Sequence, residues 1–95
     1  MLNVIEQPNS ITVEITGRLD HRSVTEFKQL FGKSPPLWIV DMSGVSYVDS
    51  SALGVLLLLR EQVSNDPKRV HLRGLQGQPK AVLTIAKFDR LFTMI

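Results

Sequence analysis

Cysteine is absent from this sequence of 95 residues, and histidine occurs only twice. Without cysteine, the chain has no disulfide, no thiolate nucleophile and no cysteine-ligated zinc. The two histidines, His21 and His71, are far apart in the sequence and form neither an HxH nor an HxxxH pair. The sequence therefore predicts no metal site, and nothing in it indicates a cofactor.

Long hydrophobic runs and a strong excess of one charge are missing as well. The longest uninterrupted apolar run, Val55 to Leu59, is far shorter than the roughly 18 residues that mark a membrane span. The N-terminal segment MLNVIEQPNS lacks the basic and apolar regions of a secretory signal. Eleven basic and nine acidic residues give a net charge of +2, too small and too mixed to indicate a nucleic-acid groove. We therefore expect a cytoplasmic protein with no membrane span and no nucleic-acid partner.

What the sequence does contain is the composition of one folded domain. Apolar residues make up 43% of the chain and charged residues 21%, which argues against disorder. A chain of 95 residues is just long enough for one hydrophobic core. We expect a single domain over residues 1–95.

The middle of the chain carries the strongest pattern. Leu37 to Val40 is apolar at successive positions and ends at Asp41, which predicts a strand covered on both faces. Ser46 to Ser51 is small and polar, which predicts a loop, and the apolar run from Ala52 to Leu59 predicts a buried helix. The residues at the mouth of this helix are Asp49, Ser50 and Ser51.

The N-terminal part predicts two antiparallel strands and a helix. Leu2 to Glu6 is the first strand, and Ile11 to Thr16 alternates between apolar and polar residues, as in a strand with one buried and one wet face. Gly17 to Arg22 is a charged loop. Ser23 and Glu26 then match a capping box that starts the first helix. Gly32 and the following prolines end this helix. Its inner face consists of Val24, Phe27, Leu30 and Phe31.

The C-terminal part predicts a short strand, Val70 to Leu72, and a third helix that begins at Pro79. The predicted inner face of this helix is Val82, Ile85 and Ala86, with Phe88, Leu91 and Phe92 packing its end.

These elements, in the order β-β-α-β-α-β-α, predict an α/β fold with a mixed sheet. The first two strands pair antiparallel, the later strands form parallel βαβ units, and the helices lie mainly on one face. Functional sites in such sheets lie beyond the carboxyl ends of the parallel strands. The loops Gly17 to Arg22 and Asp41 to Ser51 should therefore lie beside each other.

Ser50 has two chemical interpretations at the start of a helix. It or a neighbouring Asp49 or Ser51 caps the helix, or Ser50 accepts a phosphate, which free N–H groups and the helix dipole accommodate. A Ser-His-Asp hydrolase built on Ser50 and His21 is disfavoured, because no G-x-S-x-G elbow is present and Asp49 would oppose the developing negative charge. A phosphate-binding loop of the G-x-x-x-x-G-K-[ST] type is absent. We therefore predict no catalytic residue.

The chain resembles STAS domains, and among them the single-domain anti-sigma factor antagonists of bacterial partner-switching pathways. Three stretches carry the resemblance: Ile15 to Ser23, Val40 to Gly54, and Lys87 to Phe92. Together they span nearly the whole chain, which implies a single STAS domain. Two positions depart from the family pattern: Arg18 replaces a usual glutamate, and Ala52 a frequent glycine.

By this resemblance, Ser50 is the phospho-acceptor. The implied partner is an anti-sigma factor that is also a serine kinase of the histidine-kinase-like ATPase type, and it binds the unmodified antagonist. Phosphorylation ends the interaction, and a metal-dependent serine phosphatase restores it. The residues implied in the partner surface are Asp20, His21, Arg22, Asp49 and Ser51. The alternative is a STAS subunit that acts structurally in a transport or other regulatory assembly, without phosphorylation.

Overall fold

Five β-strands form one mixed sheet in the computed structural model, which describes residues 2–95. The strands lie in chain order and are β1 (Leu2–Gln7), β2 (Ser10–Leu19), β3 (Leu37–Val48), β4 (Val70–Arg73) and β5 (Thr93–Met94). The first pair is antiparallel and the other three pairs are parallel. The α-helices between the strands are α1 (His21–Lys28), α2 (Ser50–Gln62) and α3 (Gly77–Ile85). The predicted α/β class and mixed sheet are confirmed.

One face of the sheet forms the core. In the pairing register, Val13, Val40 and Leu72 follow one another across three strands, and all three are fully buried beneath the helices. On the opposite face of the sheet, Ile5 and Ile39 lie on either side of Thr12 in the pairing register. Ile5 is exposed and Ile39 is half-buried. The helices therefore cover one face, as predicted.

The prediction that the run Leu37 to Val40 is covered on both faces is wrong. Trp38 and Val40 are fully buried, but Leu37 and Ile39 are only half-buried because they point to the helix-free face. The predicted wet face of β2 is drier than expected. Thr12 is only 8% exposed, because its neighbours in the register, Ile5 and Ile39, flank it on both sides.

The two predicted loops at the strand ends are mostly strand. β2 continues through Gly17, which adopts a left-handed conformation (φ +84°) at a shift in the pairing register. β3 continues to Val48, so Asp41 lies within the strand and does not end it. The small polar residues pair because β2 supplies a hydrogen-bonding partner along the whole length of β3. Gly44 permits this close pairing, since a Cβ there would lie 2.9 Å from Thr16 Cγ2.

The first helix begins and ends earlier than predicted, and the predicted capping box is wrong. Asp20 caps α1, whereas the Ser23 hydroxyl donates to Arg18 O at 3.0 Å. The helix ends with the cap residue Gln29, before Gly32. Leu30 and Phe31 follow it in a turn and still pack against the core, as expected.

The third helix begins earlier than predicted, and its inner face differs in part from the predicted one. Gly77 is its first residue and Pro79 its third. Leu83 is fully buried, whereas Ile85, predicted to point inward, is 82% exposed. Ala86, also predicted on the inner face, is exposed. Beyond this helix lies β5, which the sequence pattern missed because only two residues form it.

Asp41 organises the helix-free face next to the end of β4. Its Oδ1 accepts hydrogen bonds from Ser43 N at 3.0 Å and Ser43 Oγ at 2.7 Å, and its Oδ2 accepts one from Arg73 Nη2 at 3.0 Å. Partial burial raises the pKa of Asp41, but the hydrogen bonds from Ser43 and the Arg73 charge outweigh it and lower the pKa overall. Ionised Asp41 therefore ties β4 to β3.

The lowered pKa of Asp41 predicts a loss of stability in acid. Its contribution is fully present above the unfolded-state pKa of about 4 and is lost as the pH falls through the lower folded-state value. In Asp41→Asn, the free energy of unfolding should depend less steeply on pH below about pH 4. Urea unfolding at several pH values measures this slope. Ser43→Ala, which keeps the backbone donor, should show a smaller change, and equal slopes for wild type and Asp41→Asn would refute the assignment.

Candidate functional site

The candidate site is built on the paired ends of β2 and β3. Leu19 and Val48 are the last residues of these strands, are partners in the register, and are both buried. Asp49 N donates to Leu19 O at 3.4 Å, which carries the pairing one residue further. Each strand is followed by a single aspartate, Asp20 or Asp49, and then directly by a helix. The two helix starts therefore lie side by side, as the sequence predicts.

Each aspartate is the N-cap of its helix. Asp20 Oδ1 accepts a hydrogen bond from Arg22 N at 3.0 Å. Asp49 Oδ1 accepts hydrogen bonds from Ser51 N at 2.8 Å and Ala52 N at 3.3 Å. These bonds satisfy backbone N–H groups at the starts of the two helices, and Ala52 N also donates to the backbone Asp49 O at 3.1 Å.

Ser50 is the first residue of α2 and is exposed. The sequence left open whether Ser50, Asp49 or Ser51 caps this helix. Since the Asp49 carboxylate fills that role, the Ser50 hydroxyl is not the capping group.

Basic side chains lie near the Asp20 cap. Desolvation raises the pKa of Asp20, but hydrogen bonds from the backbone of Arg22 and Ser23 and the charges of His21 and Arg22 lower it overall. Arg18 Nε lies 3.8 Å from Asp20 Oδ2. Both His21 and Arg22 are exposed in the first turn of α1. The Asp20 side of the site is therefore ionised and mixed in charge.

Arg18 also contacts an aromatic ring that sequence reasoning did not single out. Its guanidinium carbon lies 4.1 Å from the centre of the Tyr47 ring, and the two residues are register partners. No local signal identifies this pair, because it depends on how β2 and β3 align.

A shallow cleft between α1 and α2 adjoins Ser51, which is half-buried. Its volume is about 430 Å³, and its lining residues are Val24, Lys28, Ser51, Gly54, Val55 and Leu58. Gly54 leaves this cleft open, since a Cβ there would meet nothing within 4 Å. The predicted partner-surface residues thus lie on one edge of the sheet, next to a cleft that the sequence did not indicate.

On the side of β3 that faces β4, the last residues of β3 contact the start of α3 and not a neighbouring strand. Pairing with β4 stops at Asp41 and Arg73, while β3 runs on to Val48. Gly74 (φ +76°) turns the chain immediately, in close contact with Ser43: a Cβ on Gly74 would lie 2.7 Å from Ser43 Cβ. This turn brings the start of α3 against the unpaired part of β3.

Gln78, near the start of α3, hydrogen-bonds both backbone groups of Val48. Its Oε1 accepts from Val48 N at 2.9 Å, and its Nε2 donates to Val48 O at 3.0 Å. Gln76 Nε2 donates to Ser43 O at 3.1 Å. Sequence reasoning missed Gln78, because nothing in its local pattern relates it to a residue 30 positions earlier.

The arrangement does not form a hydrolase triad. Among residues 2–95, no hydrogen bond joins Ser50 to His21, and the nearest carboxylate in sequence, Asp49, is held by the helix cap. Over the same residues, no group of three or more histidine and carboxylate side chains is placed to hold a metal ion. What the site offers is an exposed serine at a helix start, directly after the aspartate that caps the helix.

In the part of the chain that the structure describes, every helix is too short or too polar to cross a membrane.

Comparison with known proteins gives a consistent family assignment. The model of the family described as "Mlab, STAS domain" matches residues 2–94. A STAS-domain containing protein of Pseudomonas aeruginosa (strain UCBPP-PA14) is 32% identical over 85 residues, which cover 86% of this chain and 84% of that protein.

Solved structures with low sequence identity share the fold. The anti-sigma factor antagonist SpoIIAA in its unphosphorylated form superimposes with a TM-score of 0.79 at 16% identity, over 100% of this chain and 87% of that one. The phosphorylated form of SpoIIAA from Bacillus gives a TM-score of 0.74 at 15% identity, over 100% and 91%. A sulfate transporter family protein from Wolinella succinogenes gives 0.75 at 16% identity, over 92% and 75%. These structures confirm the predicted fold.

The Asp49 cap predicts a specific pattern of stability. Asp49→Ala removes the side-chain acceptor of Ser51 N and one of the two acceptors of Ala52 N, and it should lower the free energy of unfolding by about 1 kcal/mol. Asp49→Asn keeps a capping oxygen and should lose much less. Urea unfolding of both variants measures the difference. If Asp49→Asn were as destabilised as Asp49→Ala, the charge and not the cap would be the stabilising feature.

Proposed function

Because the chain belongs to the STAS domain family, we propose that it is a phosphorylation-controlled anti-sigma factor antagonist of a partner-switching pathway. The unmodified protein binds an anti-sigma factor that is also a serine kinase of the histidine-kinase-like ATPase type. The kinase phosphorylates Ser50 and releases the protein, and a metal-dependent serine phosphatase reverses the modification. The observation that carries this proposal is the exposed Ser50 hydroxyl, which Asp49 frees from the task of capping α2.

The geometry supports Ser50 as a modification site because the hydroxyl is accessible without unfolding. Ser50 is exposed, whereas Ser51 is half-buried beside the cleft between α1 and α2. A kinase has to bring its phosphate donor in line with the attacking oxygen, which an exposed first helical residue permits. We therefore assign the phosphate to Ser50 and a docking role to Ser51.

The charge added by phosphorylation is sufficient to switch binding. A phosphoserine carries about −1.5 to −2 charges at pH 7. Asp49 precedes it directly, and Asp20 caps the neighbouring helix, so the new charge lies among existing carboxylates. The dipole of α2 stabilises a negative charge at the helix N-terminus by only about 0.3–1 kcal/mol, which offsets little of the repulsion from these carboxylates. In a partner surface built for a neutral serine, a net penalty of about 3 kcal/mol weakens binding roughly a hundredfold.

The surface that the partner contacts is proposed to include both helix starts. Asp20, His21 and Arg22 supply charges of both signs on the α1 side, and Asp49 and Ser51 flank Ser50 on the α2 side. ATP and magnesium belong to the kinase, so the chain requires no cofactor and performs no catalysis of its own. The proposed partners act in the cytoplasm, and we place the protein there.

A second candidate is a structural STAS subunit of a transport or other regulatory assembly. The fold shared with the sulfate transporter family protein from Wolinella succinogenes favours this alternative. In that case Ser50 would remain unmodified and the same edge of the sheet would be a permanent contact. The state of Ser50 therefore discriminates between the two functions.

Phosphorylation assays test the assignment of Ser50. The protein is incubated with ATP and each candidate kinase of its own cell, and phosphate is located by mass spectrometry. Wild type and Ser51→Ala should be modified and Ser50→Ala should not. Phosphate that persists on Ser50→Ala, or fails to appear on wild type with every candidate kinase, contradicts the proposal.

Binding of the kinase tests the switch itself. Ser50→Asp adds one negative charge and should raise the Kd of the complex by about tenfold or more, whereas the neutral Ser50→Asn, of nearly the same shape, should bind close to wild type. Titration calorimetry without ATP measures both. Equal affinity of the Asp and Asn variants would show that charge at this position does not control binding.

A further inference from the structure

The end of β3 has a pairing problem that the fold solves with a side chain. On one side β3 is paired with β2 to its last residue, Val48. On the other side β4 stops at Arg73, opposite Asp41. Val48 is 2% exposed, and a buried backbone group without a partner is costly, so its N–H and C=O on this side require partners other than a strand.

Gln78 supplies both partners at once. Its amide oxygen accepts from Val48 N at 2.9 Å, and its amide nitrogen donates to Val48 O at 3.0 Å. A glutamine amide has the same donor and acceptor groups as a peptide unit, so it takes the place of a neighbouring strand at this one position. Gln78 thus holds the strand end by two bonds to a single residue.

The residue held by Gln78 directly precedes the cap of α2. Val48 is followed by Asp49, whose carboxylate accepts from Ser51 N and Ala52 N, and Ser50 lies between these donors and the cap. Because both peptide groups of Val48 are fixed, the orientation of Asp49 is restricted. The orientation of the Ser50 side chain at the start of α2 is restricted with it. Gln78 reaches this point from another helix, α3.

We propose that Gln78 is a positioning residue for Ser50: its amide takes the place of the missing strand beside Val48 and thereby aligns the Ser50 hydroxyl for phosphate transfer. The alignment for phosphate transfer rests on the proposed phosphorylation of Ser50. The ordering of the Asp49 cap and of the first turn of α2 by Gln78 does not depend on any kinase.

Hydrogen exchange of backbone amides tests the structural half. Gln78→Leu has nearly the same volume and no polar group in its side chain, and Gln76→Leu is the matched control, because the Gln76 side chain donates to Ser43 O, further from α2. In Gln78→Leu the protection of Val48, Ser51 and Ala52 should fall by about tenfold, as expected for the loss of a hydrogen bond of ordinary strength. Amides of the β1–β2 hairpin should keep their protection, and Gln76→Leu should leave Ser51 and Ala52 unchanged.

Kinetics with the kinase tests the functional half. If Gln78 aligns the hydroxyl, Gln78→Leu should lower kcat for phosphorylation of Ser50 by about tenfold and leave KM nearly unchanged. A misaligned hydroxyl raises the free energy of the transition state more than it weakens the binding of the protein to the kinase. Gln76→Leu should retain the wild-type kcat and KM.

The outcomes separate this inference from the proposed function. Exchange that changes at Val48 alone, or equally throughout the molecule, overturns the positioning role, as does an unchanged kcat or a rise confined to KM. A wild-type protein that no kinase phosphorylates refutes the proposed function, and the exchange at Ser51 and Ala52 then still decides whether Gln78 orders the helix start.

Discussion

The parallel pairing of β2 with β3 is the constraint on which the site depends. The strands stay in register, through two shifts, up to Leu19 and Val48, and both chains then turn into helices after one aspartate. Because the last pair is buried, neither end can slide without exposing apolar surface. The two capped helix starts therefore have a fixed spacing, set by the distance between adjacent strands.

The site also divides its polar tasks between neighbouring residues. Asp49 takes up the backbone donors of α2, Gln78 takes up the backbone groups of Val48, and Ser50 is left exposed. A serine one position earlier, at the N-cap, would itself accept these hydrogen bonds and its oxygen would be occupied. An accessible hydroxyl at a helix start thus results from the residue before it, and its chemistry cannot be judged from the serine alone.

The sequence predicted the fold because its hydrophobic pattern is consistent along the chain. The alternation of Ile11, Val13 and Ile15 and the long apolar run of α2 set the strand and helix order, and the core contains these residues. The strand ends were mispredicted because Gly17 and Ser46 resemble loop residues, and only the pairing of β2 with β3 keeps them in strands. In the site, Ser50 is a candidate from the sequence because it follows Asp49 at the start of a predicted helix. No local pattern indicates that Gln78 contacts Val48.

The single-residue connections at Asp20 and Asp49 have a consequence for the thermodynamics of docking. Binding surfaces carried on long loops lose conformational entropy when a partner orders them. Here both connections are one residue long and hydrogen-bonded on arrival at the helix, so little freedom remains to be lost. We expect complexes at this edge to form with a small entropic penalty and close to rigid-body docking, so that the charge of one side chain is not masked by the ordering of the surface around it.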